Sequence, residues 1–334
     1  MKRMDKKKKW TAAAATLAVI AAMAGTFAWF TSQDDVKNHM EGQAAGNDVE
    51  IVETFNPKDP LNPGTDVNKD VAIQNTGQYD SLIRVSFSEE LAKLKNPESK
   101  LAEPSAVPAN VELTKFDDTK SSTWADGTFD PSVETSITVD GKTYTLKVKE
   151  NQTGDTYTYA TYLEGTDGSK YYVKTGGYKR ATDGKLTPNN PIQVQYIDLT
   201  YDTAKTADWL KASPKPTVTV NSDGTATATS QVDPNITLNF VNVSTTPTAD
   251  KWYYNSADGY FYYVGVVGAQ SQTAQLLDSV SLSEKAGNDY SKFKYDLTVN
   301  AKGIQAMKAV VPSADWVNGT DKDLSDTLVG LCPE

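Results

Sequence analysis

Cysteine and histidine are almost missing from this 334-residue chain: each occurs once, as Cys332 and His39. A single cysteine excludes an internal disulfide, and an exported chain without disulfides points to a bacterial cell surface, Gram-positive in particular. A single histidine leaves a Ser-His-Asp or Cys-His arrangement only His39 as its base. That residue sits between an apolar N-terminal run and a Gly-containing linker, a poor place for a rigid site. H-E-x-x-H, Cys-rich metal patterns, GxGxxG and GxxxxGK[ST] are all absent. The expectation is no catalytic residues, no metal and no cofactor, hence no enzyme. Arginine is scarce too: beyond residue 28 only Arg84 and Arg180 remain, which supplies bidentate phosphate recognition poorly. The acidic runs Asp34-Asp35 and Asp321, Asp323, Asp326 lack EF-hand spacing and read as solvated surface.

Long apolar runs are also absent, with one exception. Residues 2–9 are basic, and residues 11–28 (TAAAATLAVIAAMAGTFA) are apolar and end in small residues. This is the pattern of a secretory signal peptide, residues 1–28, cut between Ala28 and Trp29. The competing reading, an uncleaved anchor, needs a run near the lower limit for spanning a bilayer. Removing residues 1–28 leaves 27 basic against 42 acidic residues, a net charge of −15 where the whole chain has −10. Such a surface repels nucleic acid and favours solubility. The C-terminal residues carry neither an apolar tail nor a sortase-type LPxTG signal. The protein is therefore expected to be secreted, in the extracellular matrix or at the cell surface, meeting the membrane only during export.

Residues 29–47 form the next block. In 29–41 (WFTSQDDVKNHME), Phe30, Val36 and Met40 share one face of an extended strand, diluted by Ser32, Asp34 and Asn38. Val36 and Met40 are also four apart, so a short helix competes. His39 falls on the other, exposed face of such a strand. Gly42 to Asn47 (GQAAGN) is a flexible linker with Gly42 and Gly46 as its hinge.

From Val49 the chain turns to strands. Val49, Ile51, Glu53 and Phe55 alternate with Glu50, Val52 and Thr54. Asp70–Gln74 and Ser81–Ser88 follow, separated by the turn residues Asn75-Thr76-Gly77. Glu89 to Lys95 reads as a helical turn. Residues 97–215, more or less, form an insertion of hairpins. The clearest is Val133 to Val148, where Asp140-Gly141 suits a two-residue type I′ turn. That turn pairs Val139 with Lys142 and Ile137 with Tyr144, and gathers Val133, Ile137, Val139, Tyr144, Leu146 and Val148 on one face. Further Asp-Gly pairs between Tyr-, Thr- and Val-rich runs indicate an all-β fold. The tyrosines of 155–175 read as cross-strand packing, with a sticky aromatic surface as the alternative. Strands are expected again at 217–220, 225–231, 236–243, 252–254, 260–267, 275–282 and 294–301. Residues 311–334 read as a polar tail with room for one short helix. A Lys–Asn or Lys–Asp isopeptide crosslink remains open, without a nominated pair.

Several short stretches, taken in order, resemble a known family. They are the GTFA-WFT junction, Pro63-Gly64, Lys69-Asp70-Val71, Asn75-Thr76-Gly77 and Leu82-Ile83-Arg84-Val85. Near the other end come Asp258-Gly259-Tyr260-Phe261-Tyr262-Tyr263, Thr273 with Leu276-Leu277-Asp278-Ser279-Val280, and Ile304-Gln305-Ala306. The chain resembles the camelysin/TasA-like biofilm matrix proteins, BsaA-type members most closely, over residues 10–95 and 250–310. The resemblance implies a jelly-roll-like antiparallel β-sandwich (residues 48–310 here) with inserted β-hairpins and a few short helices. It also implies export through a SipW-type signal peptidase and assembly into extracellular fibres with copies of itself and with related matrix subunits. In such fibres the segment freed by cleavage is a donor strand for the next subunit. Carried onto this chain, the donor is Trp29 to Glu41 with Phe30, Val36 and Met40 facing the acceptor. Some members carry a metallopeptidase label, for which this chain lacks the residues. A monomeric adhesin or carbohydrate-binding module, using the aromatic runs Tyr157–Tyr172 and Trp252–Tyr263, is the alternative function.

Overall fold

The computed structural model describes residues 39–40, 49–55, 61–313, 316–317 and 321–333. In chain order the first strands are β1 (His39–Met40), β2 (Val49–Phe55), β3 (Asp66–Asn75) and β4 (Ser81–Ala92). A run of shorter strands follows: β5 (Lys100–Ala102), β6 (Val111–Leu113), β7 (Ala125–Asp126), β8 (Ser136–Val139), β9 (Lys142–Thr153), β10 (Thr156–Glu164), β11 (Lys170–Lys174), β12 (Tyr178–Arg180), β13 (Leu186–Pro188) and β14 (Gln193–Asp198). Then come β15 (Lys205–Asp208), β16 (Val218–Val220), β17 (Ala226–Thr229), β18 (Ile236–Phe240), β19 (Val243–Ser244), β20 (Trp252–Asn255), β21 (Tyr260–Tyr263), β22 (Leu277–Leu282) and β23 (Lys294–Gln305). Helix is confined, among the described residues, to α1 (Val310–Ser313), α2 (Lys322–Leu331) and two single 3-10 turns.

The chain divides into two compact units, and the stretch Leu94–Tyr201 of one interrupts the sequence of the other. The host unit is a β-sandwich. Its first sheet has the order β1-β23-β4-β21-β20-β19, with β15 also on β4; its second has the order β16-β17-β18-β22-β3-β2. The chain changes sheet after β3, β15, β18, β21 and β22, so neighbours in a sheet are mostly distant in sequence. Alternation explains which side is inward. Tyr295, Leu297, Val299 and Ala301 of β23 are buried while Asp296, Thr298 and Asn300 between them are half-exposed. Phe87 lies at the centre of the core, its ring 5.3 Å from Trp209, 5.6 Å from Phe240 and 5.9 Å from Phe261, which joins both sheets through tilted aromatic contacts.

The inserted unit has its own sheet, ordered β5-β14-β11-β10-β9-β7 with β6 on β14 and β8 on β9, and a two-stranded ribbon β12-β13. Its core is smaller, built on Leu113, Val139, Leu146, Leu163, Val173, Val194 and Tyr196. The hairpin at Asp140-Gly141 has the expected register, Val139 opposite Lys142 and Ile137 opposite Tyr144. Both turn residues have positive φ, 48° and 71°, as a type I′ turn demands. Val133 precedes the strand, which begins at Ser136.

Three stretches differ from the sequence reading. Glu89 to Ala92 continue β4 as strand rather than forming a helical turn, because Glu89 is buried and its carboxylate is taken up by neighbours described below. Residues 202–215 belong to the sandwich unit and not to the insertion. There Lys205–Asp208 pairs with β4 and Trp209 is fully buried, in a segment too short and too polar to show alternation. Residues 311–334 are less polar in place than in sequence: Val311, Trp316, Val317, Leu324, Leu328 and Cys332 are buried. Asp321 caps α2, which carries Leu324 and Leu328, accepting from the Leu324 N–H at 3.0 Å.

Candidate assembly edge

The longest strand pairing in the molecule sets up an open edge. β23 pairs antiparallel with β4 along its whole length, from Lys294 opposite Ala92 to Gln305 opposite Ser81. Among the described residues its other side takes only β1, in parallel, with His39 opposite Asn300 and Met40 opposite Ala301. A strand edge with unpaired N–H and C=O groups is a template for another extended segment. Here the segment found on it comes from the stretch singled out in the sequence as a donor strand. Of the residues assigned to that role, Met40 is placed, at the register position of Ala301. Ala28, Trp29, Phe30, Val36, Gly42 and Gly46 lie outside the described residues.

The edge strand of the opposite sheet faces the same side. β4 starts where β3 ends, and both ends are tied to Val267: Asn75 Nδ2 donates to its carbonyl at 2.9 Å, and Ser81 exchanges backbone hydrogen bonds with it. β23 finishes opposite Ser81 and β2 begins opposite Asn75, so the two edge strands run in opposite directions from one end of the sandwich. They touch there. A Cβ on Gly303 would come within 2.7 Å of Val49 Cγ1, which is why glycine stands in the strand at that point.

Going down β2 from that corner, Val49 and Ile51 are buried, and the next residue on the same face is Glu53. Its side chain is only 9% exposed and lies 3.4 Å from the ammonium of Lys69, itself 7% exposed, on β3. Lys69 is in phase with Val67, Val71 and Ile73, all buried. An ion pair thus sits on the inward faces of two adjacent strands. Glu53 Oε1 is buried without a hydrogen-bond partner. Sequence alternation already sets Glu53 in phase with Val49 and Ile51; a charge on an apolar face is the signal for this pair.

A second buried carboxylate ties the sheets together. Glu89 accepts from the Trp209 indole at 2.8 Å, the Gln231 N–H at 3.1 Å, the Tyr295 hydroxyl at 2.9 Å and the Ser230 hydroxyl. Donors scattered over the chain converge on one buried group, which satisfies it. Burial, with Glu89 beside it, holds the Tyr295 hydroxyl far above its ordinary pKa, so it stays a donor.

Nearby, the Lys93 ammonium lies 2.9 Å from Asp233 and 3.1 Å from Asp289, and 3.4 Å from the centre of the Tyr290 ring. Burial works to lower the Lys93 pKa, but contacts with Tyr290, Asp233 and Asp289 outweigh it and raise it. Burial works to raise Asp233, and bonds from Tyr290 and Lys93 outweigh it and lower it. Both groups are held as ions. Amide formation needs a neutral amine, so this pair is set up as a salt bridge and not as an isopeptide precursor.

Arg84 anchors the C-terminal segment. Its guanidinium lies between the rings of Tyr260 (4.1 Å) and Trp316 (4.3 Å) and donates to the Trp316 carbonyl. The Tyr253 hydroxyl donates to Asp321 at 2.9 Å; burial and that carboxylate push its pKa up to about 12. One of the three tail aspartates therefore both caps a helix and ties it to the sandwich.

The aromatic runs are packing elements. Trp252, Tyr254, Tyr260, Phe261, Tyr262 and Tyr263 are all buried. In the inserted unit Tyr162 stands opposite Tyr172 and stacks on Phe116 at 5.0 Å, and Arg180 covers the Tyr157 ring at 4.2 Å. An open groove of about 560 Å³ in that unit is lined by Glu103, Glu134, Asn190, Ile137 and Pro188 among others, with no nucleophile beside a base. Among the described residues no three His, Cys, Asp or Glu side chains are gathered as metal ligands, and no helix is long and apolar enough to cross a membrane. Comparisons with models of protein families, with curated proteins and with solved structures gave no match.

Proposed function

We propose that the protein is a secreted structural subunit of an extracellular fibre, polymerising by insertion of its N-terminal strand into the next copy. The observation that carries this reading is the parallel seating of His39–Met40 on the edge of β23. In one chain the segment lies on its own sandwich; in a fibre the same pairing is made with a neighbour. Exchange of an identical element costs little, because the hydrogen bonds given up within one chain form again with the next. A head-to-tail exchange that does not close gives a filament. Cleavage after Ala28 by a SipW-type signal peptidase frees Trp29 and Phe30 for the exchange, and Gly42 and Gly46 allow the segment to reach outward. Related matrix subunits with a similar edge are candidate partners beside the chain itself. The net charge of −15 after cleavage accords with life outside the cell and disfavours nucleic acid as a partner. Electron microscopy of the secreted protein, with its first residue determined on the same sample, tests the reading. Filaments of chains that begin at Trp29 support it; chains that begin there and stay monomeric at all concentrations contradict it.

A further inference from the structure

The proposed exchange raises a question of register. A strand with three polar residues on its inserted face slips easily unless something inside the groove fixes it. We infer that the buried Glu53–Lys69 pair is the register mark of the acceptor groove, with Glu53 Oε1 receiving the side-chain amide of Asn38 from a second copy. This inference rests on the fibre reading and adds the residues that make the strand's seating specific.

The placement follows from three observations. First, β2 and β23 run in opposite directions and meet at Val49 and Gly303. Four residues down β2 is Glu53, and four residues back along β23 is Val299, so the two stand at one level. Second, packed sheets cross at about 30°, so edges that touch at one corner separate below it, which leaves room for a strand. Third, His39 opposite Asn300 fixes the phase of the occupant, and the residue before His39 falls opposite Val299. Val299 is 1% exposed and points inward. Neighbours in a parallel pair share a face, so Asn38 of the incoming strand meets the groove interior at the level of Glu53.

The chemistry agrees with the placement. Glu53 Oε2 is 3.4 Å from Lys69, whereas Oε1 is buried with no donor. A buried carboxylate oxygen without a partner is costly, and an amide N–H from the occupant removes that cost. A strand slipped by two residues brings Val36 or Met40 to this level and leaves the oxygen unsatisfied. The difference is of the order of one hydrogen bond to a charged group, about tenfold in favour of the correct register.

The test uses mature full-length chains with Cys332→Ser. A chain carrying Asn38→Cys is mixed with chains carrying Val299→Cys, Leu297→Cys or Ala301→Cys, and disulfide-linked pairs are counted after mild oxidation. The expected result is dominant crosslinking of Asn38→Cys to Val299→Cys through neighbouring strand positions. To read the mark itself, Met40→Cys is paired with Ala301→Cys and Val299→Cys in chains with and without Glu53→Leu/Lys69→Leu. Replacing both members of a buried pair by apolar residues keeps the fold where replacing one would not. The share of the Met40–Ala301 crosslink is expected to fall about fivefold in favour of slipped pairs. A register unchanged by the double replacement overturns the inference and leaves the fibre reading standing. Crosslinks centred on Leu297 or Ala301 in the first experiment also overturn it. Absence of any crosslink between copies, together with absence of filaments, overturns the fibre reading itself.

Discussion

The sandwich and the unit inserted into it reach the same β-rich end by different means. The inserted unit is held mostly by neighbours in sequence. β8, β9, β10 and β11 pair in order, each joined to the next by a short turn. Its ion pairs, such as Arg180 with Glu150 and Lys170 with Asp118, lie where water reaches them. The sandwich is held by partners far apart: Tyr295 bonds Glu89 across 206 residues, and β23 pairs with β4 over its full length. Its decisive polar groups, Glu89, Asp233 and Glu53, are buried. The lesson is that polar residues on the insertion act locally and replaceably, whereas those of the sandwich are joints between distant segments.

Substitutions can break or sharpen that contrast. The largest effect is expected for Glu89→Ala, which leaves its donors in the core without an acceptor; a loss of about 3–5 kcal/mol in urea unfolding is expected. A loss below about 1 kcal/mol would remove the claim that Glu89 joins the sheets. Next comes Asp233→Asn. The Asp233 pKa is lowered in the folded chain, so its contribution is full above the ordinary value of 3.8 and disappears as pH falls through the lower folded value. The thermal stability gap between the parent and Asp233→Asn should therefore be constant near neutrality and close in acid. A gap that widens as the pH falls would mean the opposite sign. In the inserted unit, a Cβ on Gly141 meets no atom within 4 Å, so in Gly141→Val backbone strain at φ +71° acts, about 1–2 kcal/mol. Amide exchange should then speed up along β8 and β9 and stay unchanged in β23. The smallest effect belongs to Arg180→Ala, below about 1 kcal/mol by calorimetry, because its pair with Glu150 is exposed to solvent screening.

The same contrast explains which features the amino-acid sequence makes legible. The Asp140-Gly141 hairpin and its register are legible because two turn residues and the alternating positions around them settle both locally. The existence of most sandwich strands is legible too, from alternation. Their pairing is not, because no local signal says that Lys294 will lie opposite Ala92. Glu89 reads as a helix former since its burial depends on Trp209, Ser230, Gln231 and Tyr295, residues scattered over the chain. The tail misleads for a similar reason: Leu324 and Leu328 are four apart on one helix face, but aspartates surround them. At the assembly edge, alternation puts Met40 on the inserted face, and its position opposite the buried Ala301 agrees with that phase.

The central claim is that one segment serves as the donor and β23 as its acceptor. A chain lacking Trp29–Glu41 keeps the acceptor and has nothing to donate. Added to mature protein in increasing amounts, it should cap growing ends, so that mean filament length in electron micrographs falls as its share rises. Filaments whose length does not change with the share of the truncated chain would contradict the account.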